Sequence, residues 1–220
     1  MATVYSVVVH GIMYIPPFNR VKDRRRIIDF INAHGFATLI SRGPDGTVAS
    51  HLPVLWDEAD SEWGTLRSHM ARANPQWRHF QSGDEVLCIF HGPHAYISPS
   101  WYIMQHTVPT WNYATAHVYG VPAMVDQAAL KQIVYDTTAK YESGRPKPWV
   151  ISLSDTELDA MLNAIVGFEI KITRVEAKFK LGQNRSTEDQ EGMLRELQES
   201  KDPASQELAQ FIVRQRDRVV

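Results

Sequence analysis

The chain has 220 residues, 44% of them apolar, with 25 acidic and 23 basic residues and a formal charge of −2. That composition supports a sizeable core and excludes a disordered or globally basic, nucleic-acid-coating protein, while leaving room for a local charged patch. A single cysteine, Cys88 in the apolar run EVLCIF, cannot close an internal disulfide and reads as a small core residue of a cytoplasmic protein. No apolar run approaches the length of a membrane span. The opening VYSVVVHGIMYI lacks the basic start and small-residue cleavage site of a secretory signal. Met13 is a second possible start, which sets residues 1–12 apart as an N-terminal extension.

In chain order, the run DRRRIIDFINAH predicts a short amphipathic helix that begins after Asp23 and stops at His34-Gly35. FATLIS and TVASHLPVLW, joined by Gly-Pro-Asp-Gly, predict a hairpin. EWGTLRSHM supplies a third strand, NPQWRHFQSG a short helix or irregular turn, and EVLCIFHG a buried strand. Residues 95–110 lack periodicity and read as an ordered loop, the kind that usually serves function. NYATAHVYGVPAMV is a long strand, with Gly120 marking a bulge or a close backbone approach. Two helices follow, near 126–142 and 154–165, the second with a Ser154/Glu157 capping box. IVGFEIKITRVEAKFKL is the last strand. The tail, 186–220, is charged and helix-prone, breaks at Pro203 and is expected on the outside, packed on the rest. Several short antiparallel strands with peripheral helices argue for one mainly β domain, a barrel over 13–185 plus the helical tail.

Chemistry concentrates between Trp63 and Gly120. Six of the nine His and four of the six Trp fall there, and only Arg67, Arg72, Arg78, Asp84 and Glu85 are charged. Flat side chains with hydrogen-bonding edges and a few Arg suit a planar, anionic ligand. His69, Arg72 and Asn74 close a strand and open a turn, an arrangement able to grip a phosphate. The alternative is an Arg72 ion pair beside an Asn-Pro turn. In ASHLPVLW, Ser50 and Leu52 share one side and His51 and Pro53 the other, with Pro53 calling for an edge or a bulge. Trp111 and Tyr113 share a face with Asn112 opposite, which suits core, a wall over a flat ligand or a dimer contact. Lys178, Lys180, Gln183, Asn184 and Arg185 end the last strand; alone, they would be a solvated strand end. No metal site is signalled, since His91 and His94 flank Gly-Pro in an expected turn with no third ligand. There is no nucleophile elbow, no Walker loop and no helix-turn-helix.

In order and spacing, MYIPPF, ASHLPVLWD, SHMARANPQW, FHGPHAYISPSWY, VPTWNYATAHVYG, IVGFEIKI and KFKLGQNRS resemble the PaiB family, FMN-binding proteins named as negative transcriptional regulators. The resemblance runs from Met13 to about Leu197. It implies an FMN-binding split β-barrel, six-stranded, antiparallel and Greek-key-like, that forms a homodimer with FMN sites between subunits. It makes His69, Ala71, Arg72 and Asn74 candidates for the phosphate side. Ala49, Ser50, His51 and Leu52 become candidates for the isoalloxazine edge, with Trp111, Asn112, Tyr113, Lys180, Gln183, Asn184 and Arg185 offered from the facing subunit. Flavin-binding split barrels commonly carry Ser-x-Lys in the phosphate turn, where this chain has Ala71-Arg72. If the protein turns over a substrate, an FMN-dependent oxidoreductase is implied; heme binding or degradation is the alternative by analogy with other split barrels. Sequence-specific DNA binding finds no support in the charge or the motifs.

Overall fold

A computed structural model of the chain describes residues 13–44, 46–59, 61–104 and 107–217. The extension expected over 1–12, and His106 of the histidine-rich stretch, lie outside the described residues. Eight strands form one antiparallel sheet: β1 (Arg20–Val21), β2 (Phe36–Gly43), β3 (Gly46–Pro53), β4 (Leu55–Asp57), β5 (Thr65–Ala71), β6 (Val86–Ile97), β7 (Thr110–Met124) and β8 (Ile165–Lys180). Their order is β3-β2-β6-β7-β8-β5-β4, with β1 added to β8. The two ends of that order, β3 and β4, are one strand kinked at Val54, whose amide donates to the Gly35 carbonyl at 2.7 Å. The backbone ladder does not close between β3 and β5; there the Ser68 hydroxyl bridges to the Pro53 carbonyl at 2.7 Å. The six long strands are those expected, and β1 and β4 are short additions.

Local chemistry explains most element boundaries. Pro53 stands at the kink, where a missing amide is tolerated best. Gly46 turns the β2–β3 hairpin at a φ of 111°, open to glycine at little cost. Gly120 both shifts the β7–β8 register and lies against the neighbouring strand, since a Cβ there would stand 2.5 Å from the Lys171 carbonyl oxygen. Asp23 caps α1 (Arg24–Ala33), Asp126 caps α2 (Gln127–Glu142), and the Ser154/Glu157 box opens α3 (Asp155–Leu162).

Two expectations are corrected. Strand β6 runs through His91-Gly92-Pro93-His94, where a turn was expected, so the following loop spans only 98–109. The ladder absorbs the Gly-Pro pair by a register shift between His91 and His94. Gly92 is needed because a Cβ there would meet the Phe30 ring at 2.6 Å. The tail is the second case. Its helices α4 (Thr187–Glu199) and α5 (Pro203–Arg216), expected on the outside, contribute to the core. Met193, Leu197 and Leu208 are fully buried, and Phe211 stacks edge-on against Phe30 and Phe179 at 6.0 and 5.2 Å. The charged residues occupy the outer side of an amphipathic pair.

The helices leave the outside of the barrel unevenly covered. α2 and α3 lie over β5 and the first half of β8, with Leu130, Leu158 and Leu162 forming a small apolar cluster of their own. On the outer face of β3-β2-β6-β7 the side chains of Phe36, Tyr96 and Trp111 stay exposed, with the start of α5 bordering the His94, Tyr96 and Trp111 end.

Candidate functional site

Directly opposed residues of an antiparallel ladder share a face, so the register places the outward side chains in rows. His51 opposes Thr38, Thr38 opposes Ile89, Ile89 opposes His117, and His117 opposes Glu176. The next row is His91, Thr115 and Lys178; then come His94, Tyr113 and Lys180; then Tyr96 and Trp111. The residues between them, Cys88, Phe90, Ala95, Ala114 and Ala116, are buried inside the barrel. Burial pushes the Cys88 thiol up to about 12, which rules it out as a thiolate nucleophile at neutral pH. Among the described residues, no group of three or more His, Cys, Asp or Glu could hold a metal ion.

On this face His91, His94, His117, Trp111, Tyr113 and Met13 line a dish of about 500 Å³. Trp111 is 54% exposed, and Phe36 and Tyr96 are 64% and 46% exposed. Single exposed aromatics are ordinary; a row of them on one face marks an interaction surface. His94 tilts against Trp111 at 6.2 Å, and His51 stacks on Phe36 at 6.4 Å. Burial, then the neighbouring His94 and His51, lower the pKa of His91. His117 is lowered chiefly by burial, opposed by Glu176 and reinforced by His91 and Arg174. Both rings are therefore neutral at pH 7, each with one donor and one acceptor, and neither hydrogen-bonds another described residue.

Buried Glu176 beside the dish is fully engaged. It pairs with Arg174 at 2.9 Å, accepts from the Met13 amide at 3.0 Å and from the Tyr119 hydroxyl at 3.4 Å. Lys178, 7% exposed, donates to the Tyr14 carbonyl at 3.0 Å and lies 5.2 Å from the centre of the Tyr113 ring. Lys180 donates to the Thr110 hydroxyl, and burial lowers its pKa, with Lys178 and Arg185 adding to the shift.

The residues expected on the phosphate side reach three ways. Arg72 donates from Nε and Nη2 to the carbonyls of Asn163 and Ile165, at 2.7 and 2.9 Å. Among the described residues Arg72 pairs with no carboxylate, the alternative to a phosphate role. Asn74 caps the following 3-10 turn through Gln76 and donates to the Ser50 hydroxyl at 2.8 Å, so it ties the turn to β3. His69 opposes Gly167, on the side covered by α2, and its Nδ1 is buried without a hydrogen-bond partner. Ala71 is exposed. On β3, Ala49 and His51 are on the outer face, whereas Ser50 meets Asn74 and Leu52 is buried in the core.

On β7 the alternation is as expected: Trp111 and Tyr113 face out, and Asn112 is buried, its amide 3.1 Å from the Met193 sulfur. Asn112 is thereby part of the core. After β8, Gln183 folds back on its own turn, accepting from the Leu181 amide at 2.7 Å. Asn184 is exposed. Arg185 donates to Thr107 at 2.7 Å and lies over the Tyr102 ring at 4.6 Å, pinning the 98–109 loop. The residues sequence reasoning left out of the site are His91, His94, His117 and Lys178. Ordinary alternation puts positions three apart on opposite faces; only the bulge brings His91 and His94 to the same one.

The family whose description reads "Putative FMN-binding domain" matches residues 13–174. "Protease synthase and sporulation protein PAI 2" of Bacillus subtilis is 36% identical over 201 residues, 91% of this chain and 96% of that protein. Among solved structures, the flavocytochrome Anf3 of Azotobacter vinelandii superposes with a TM-score of 0.59 at 13% identity, covering 78% of this chain and 74% of that one. The FAD and heme binding protein of Mycobacterium smegmatis gives 0.57 at 16% identity, covering 78% of each. At such identities the likeness is one of fold, the split barrel.

Proposed function

This chain belongs to the FMN-binding PaiB family, and from that premise we propose that it binds FMN on the uncovered face of its barrel, as a homodimer with the cofactor between subunits. The observation that carries the reading is the outward row structure of β3-β2-β6-β7: exposed aromatic surface, neutral imidazoles and cations assembled on one face. A flavin ring needs flat apolar walls and mixed donors and acceptors at its edge. Trp111 and Tyr113 supply the walls, and the neutral His91 and His117 supply donors and acceptors. His51 is level with His117, three strand spacings or roughly 14 Å across β2 and β6, and Trp111 lies six residues away along β7, roughly 20 Å more. A ring resting on β3 therefore takes its second wall from a facing copy, and the exposed Phe36, Tyr96 and Trp111 are the surface that copy would cover. At the end of β5, two carbonyls fix the Arg72 guanidinium by its Nε/Nη2 edge.

When bound, FMN supplies electron and hydride transfer; this chain's residues bind it, orient it and exclude water. We assign no acid or base among them. The regulatory role suggested by the family name is best served by ligand sensing in the cytoplasm. A formal charge of −2 gives direct DNA reading no general electrostatic support. The test is an absorbance spectrum of the purified protein followed by FMN titration, with mass measured by sedimentation. Saturable binding by a dimer is expected; a colourless protein with no saturable FMN binding overturns the proposal. The three-histidine dish favours one second reading, heme, which a hemin titration checks: a Soret band lost on His91→Ala or His94→Ala would replace flavin with heme.

A further inference from the structure

We infer that the end of β8 is an anion seat, in which Lys178 and Lys180 hold the phosphate or carboxylate of a flat aromatic ligand lying in the histidine dish. The first ground is charge bookkeeping. Lys178 is more than nine-tenths buried, Lys180 is half-buried and Arg185 is close enough to act on it, yet among the described residues none of the three forms an ion pair. The nearby carboxylate in sequence and register, Glu176, is already taken by Arg174 and the Met13 amide. Neighbouring buried ammonium groups satisfied only by a carbonyl, a hydroxyl and ring faces are costly for a fold to keep. Half-buried Arg67, by contrast, has both Asp57 and Asp136.

The second ground is placement. Lys178 opposes Thr115 and Lys180 opposes Tyr113, both of which line the dish. The dish adds the faces of Trp111 and Tyr113 and the neutral donors of His91 and His117. A ligand with an aromatic body and an anionic end meets each of these groups at once, the body on the rings and the anion on the ammoniums. The proposal rests on the flavin reading only for the identity of one possible ligand. The anionic end belongs either to FMN itself or to an aromatic acid or aryl phosphate stacked beside the flavin.

The experiment titrates FMN, riboflavin, 2-naphthyl phosphate, 2-naphthoate and 2-naphthol against the full-length protein and its Lys178→Met/Lys180→Met variant, by calorimetry. In the wild type, the charged member of each set is expected to bind at least tenfold tighter than its uncharged counterpart, with salt weakening only the charged ones. In the variant that margin disappears, while the ligand-free protein melts about 2–4 °C higher because unpaired buried charge is gone. Loss of the FMN margin assigns the seat to the cofactor's phosphate. Loss confined to the naphthyl ligands on flavin-loaded protein assigns it to a substrate's anion. Lys178→Arg, which keeps the charge, retains the preference in either case. Equal binding of charged and uncharged ligands by the wild type, or an undiminished margin in the variant, overturns the seat. Should the double variant fail to fold, Lys180→Gln and the salt dependence of the wild type decide the matter. Failure of FMN and riboflavin alike to bind strikes the flavin reading and leaves the naphthyl arms to judge the seat.

Discussion

The two halves of the barrel's outer surface differ in how they treat their side chains. Under α2 and α3, Arg67 holds both Asp57 and Asp136, and Leu130, Leu158 and Leu162 close over β5 and β8, while Tyr135, Tyr141 and Met161 stay exposed on the helices themselves. On the face of β3-β2-β6-β7, Trp111, Tyr96 and Phe36 are exposed, and among the described residues His91 and His117 have no hydrogen-bond partner and Lys178 and Lys180 no carboxylate. Exposed apolar area and unpaired buried charge both cost stability. On the β3-β2-β6-β7 face that cost is what the proposed ligand and the proposed second copy would offset. Variants on the two halves should therefore fail differently.

The largest effect is expected from the interior that the tail completes. Leu208 is fully buried on α5, and Leu208→Ala should cost about 3 kcal/mol of unfolding free energy. Urea denaturation checks this, and in what remains folded the FMN affinity should be unchanged. A loss below about 1 kcal/mol would mean that the tail is an appendage rather than part of the core.

That the tail belongs to the core could not be read from its composition. Its helices were legible: Pro203 opens α5, and Leu208, Phe211 and Ile212 form a stripe at helical spacing. What the stripe docks against, Phe30 and Phe179, lies far away in the chain. The same division recurs throughout. The Asp23 cap, the Gly46 hairpin, the Gly120 bulge and the Ser154/Glu157 box are local chemistry and could be anticipated. The kink at Val54 and the bulge that aligns His91 with His94 arise from how neighbouring strands meet. Arg72 makes the point for the site. An Arg beside Asn-Pro suggests a phosphate, and nothing local reveals that its partners are carbonyls 91 and 93 residues away. The exposed positions Trp111, Tyr113 and His51 were legible because strand alternation is local; Asn112 and Leu52, their buried neighbours, belong to the core by the same rule.

A smaller effect separates the halves by pH. Burial lowers the pKa of His69 and His34 in the packed parts of the molecule and of His91 and His117 on the bare face. An imidazole with a depressed folded pKa binds fewer protons folded than unfolded, so stability rises with pH through its titration. Its contribution is complete above the unfolded value, near 6.5, and is lost as pH falls through the lower folded value. Stability should thus decline as pH falls below about 6.5. His69→Gln should remove part of that slope with or without ligand. The share from His91 and His117 should grow when FMN covers the face, since a ligand that needs them neutral adds to the penalty for protonation. Denaturation curves at several pH values, with and without FMN, measure both; an identical slope in the two states would place the ligand away from these rings.

The smallest effect on stability should come from the most conspicuous residue of the bare face. Trp111 is more than half exposed and packs only its edge against His94 and Tyr96, at ring separations of 6.2 Å each. Trp111→Ala removes little buried area, so the monomer's stability should move by no more than about 0.5 kcal/mol. If the indole is instead a wall for the flavin and part of the surface covered by a second copy, its loss reaches the ligand. FMN affinity should fall roughly tenfold, the worth of about 1.4 kcal/mol of lost ring contact, and sedimentation should show a weaker dimer. Leu208→Ala is the mirror image, damaging stability and sparing affinity. The pair of variants then asks one question of two surfaces. A Trp111→Ala protein that keeps full FMN affinity and dimerises normally would mean that the bare face is bare for another reason, and that the aromatic row serves neither cofactor nor partner.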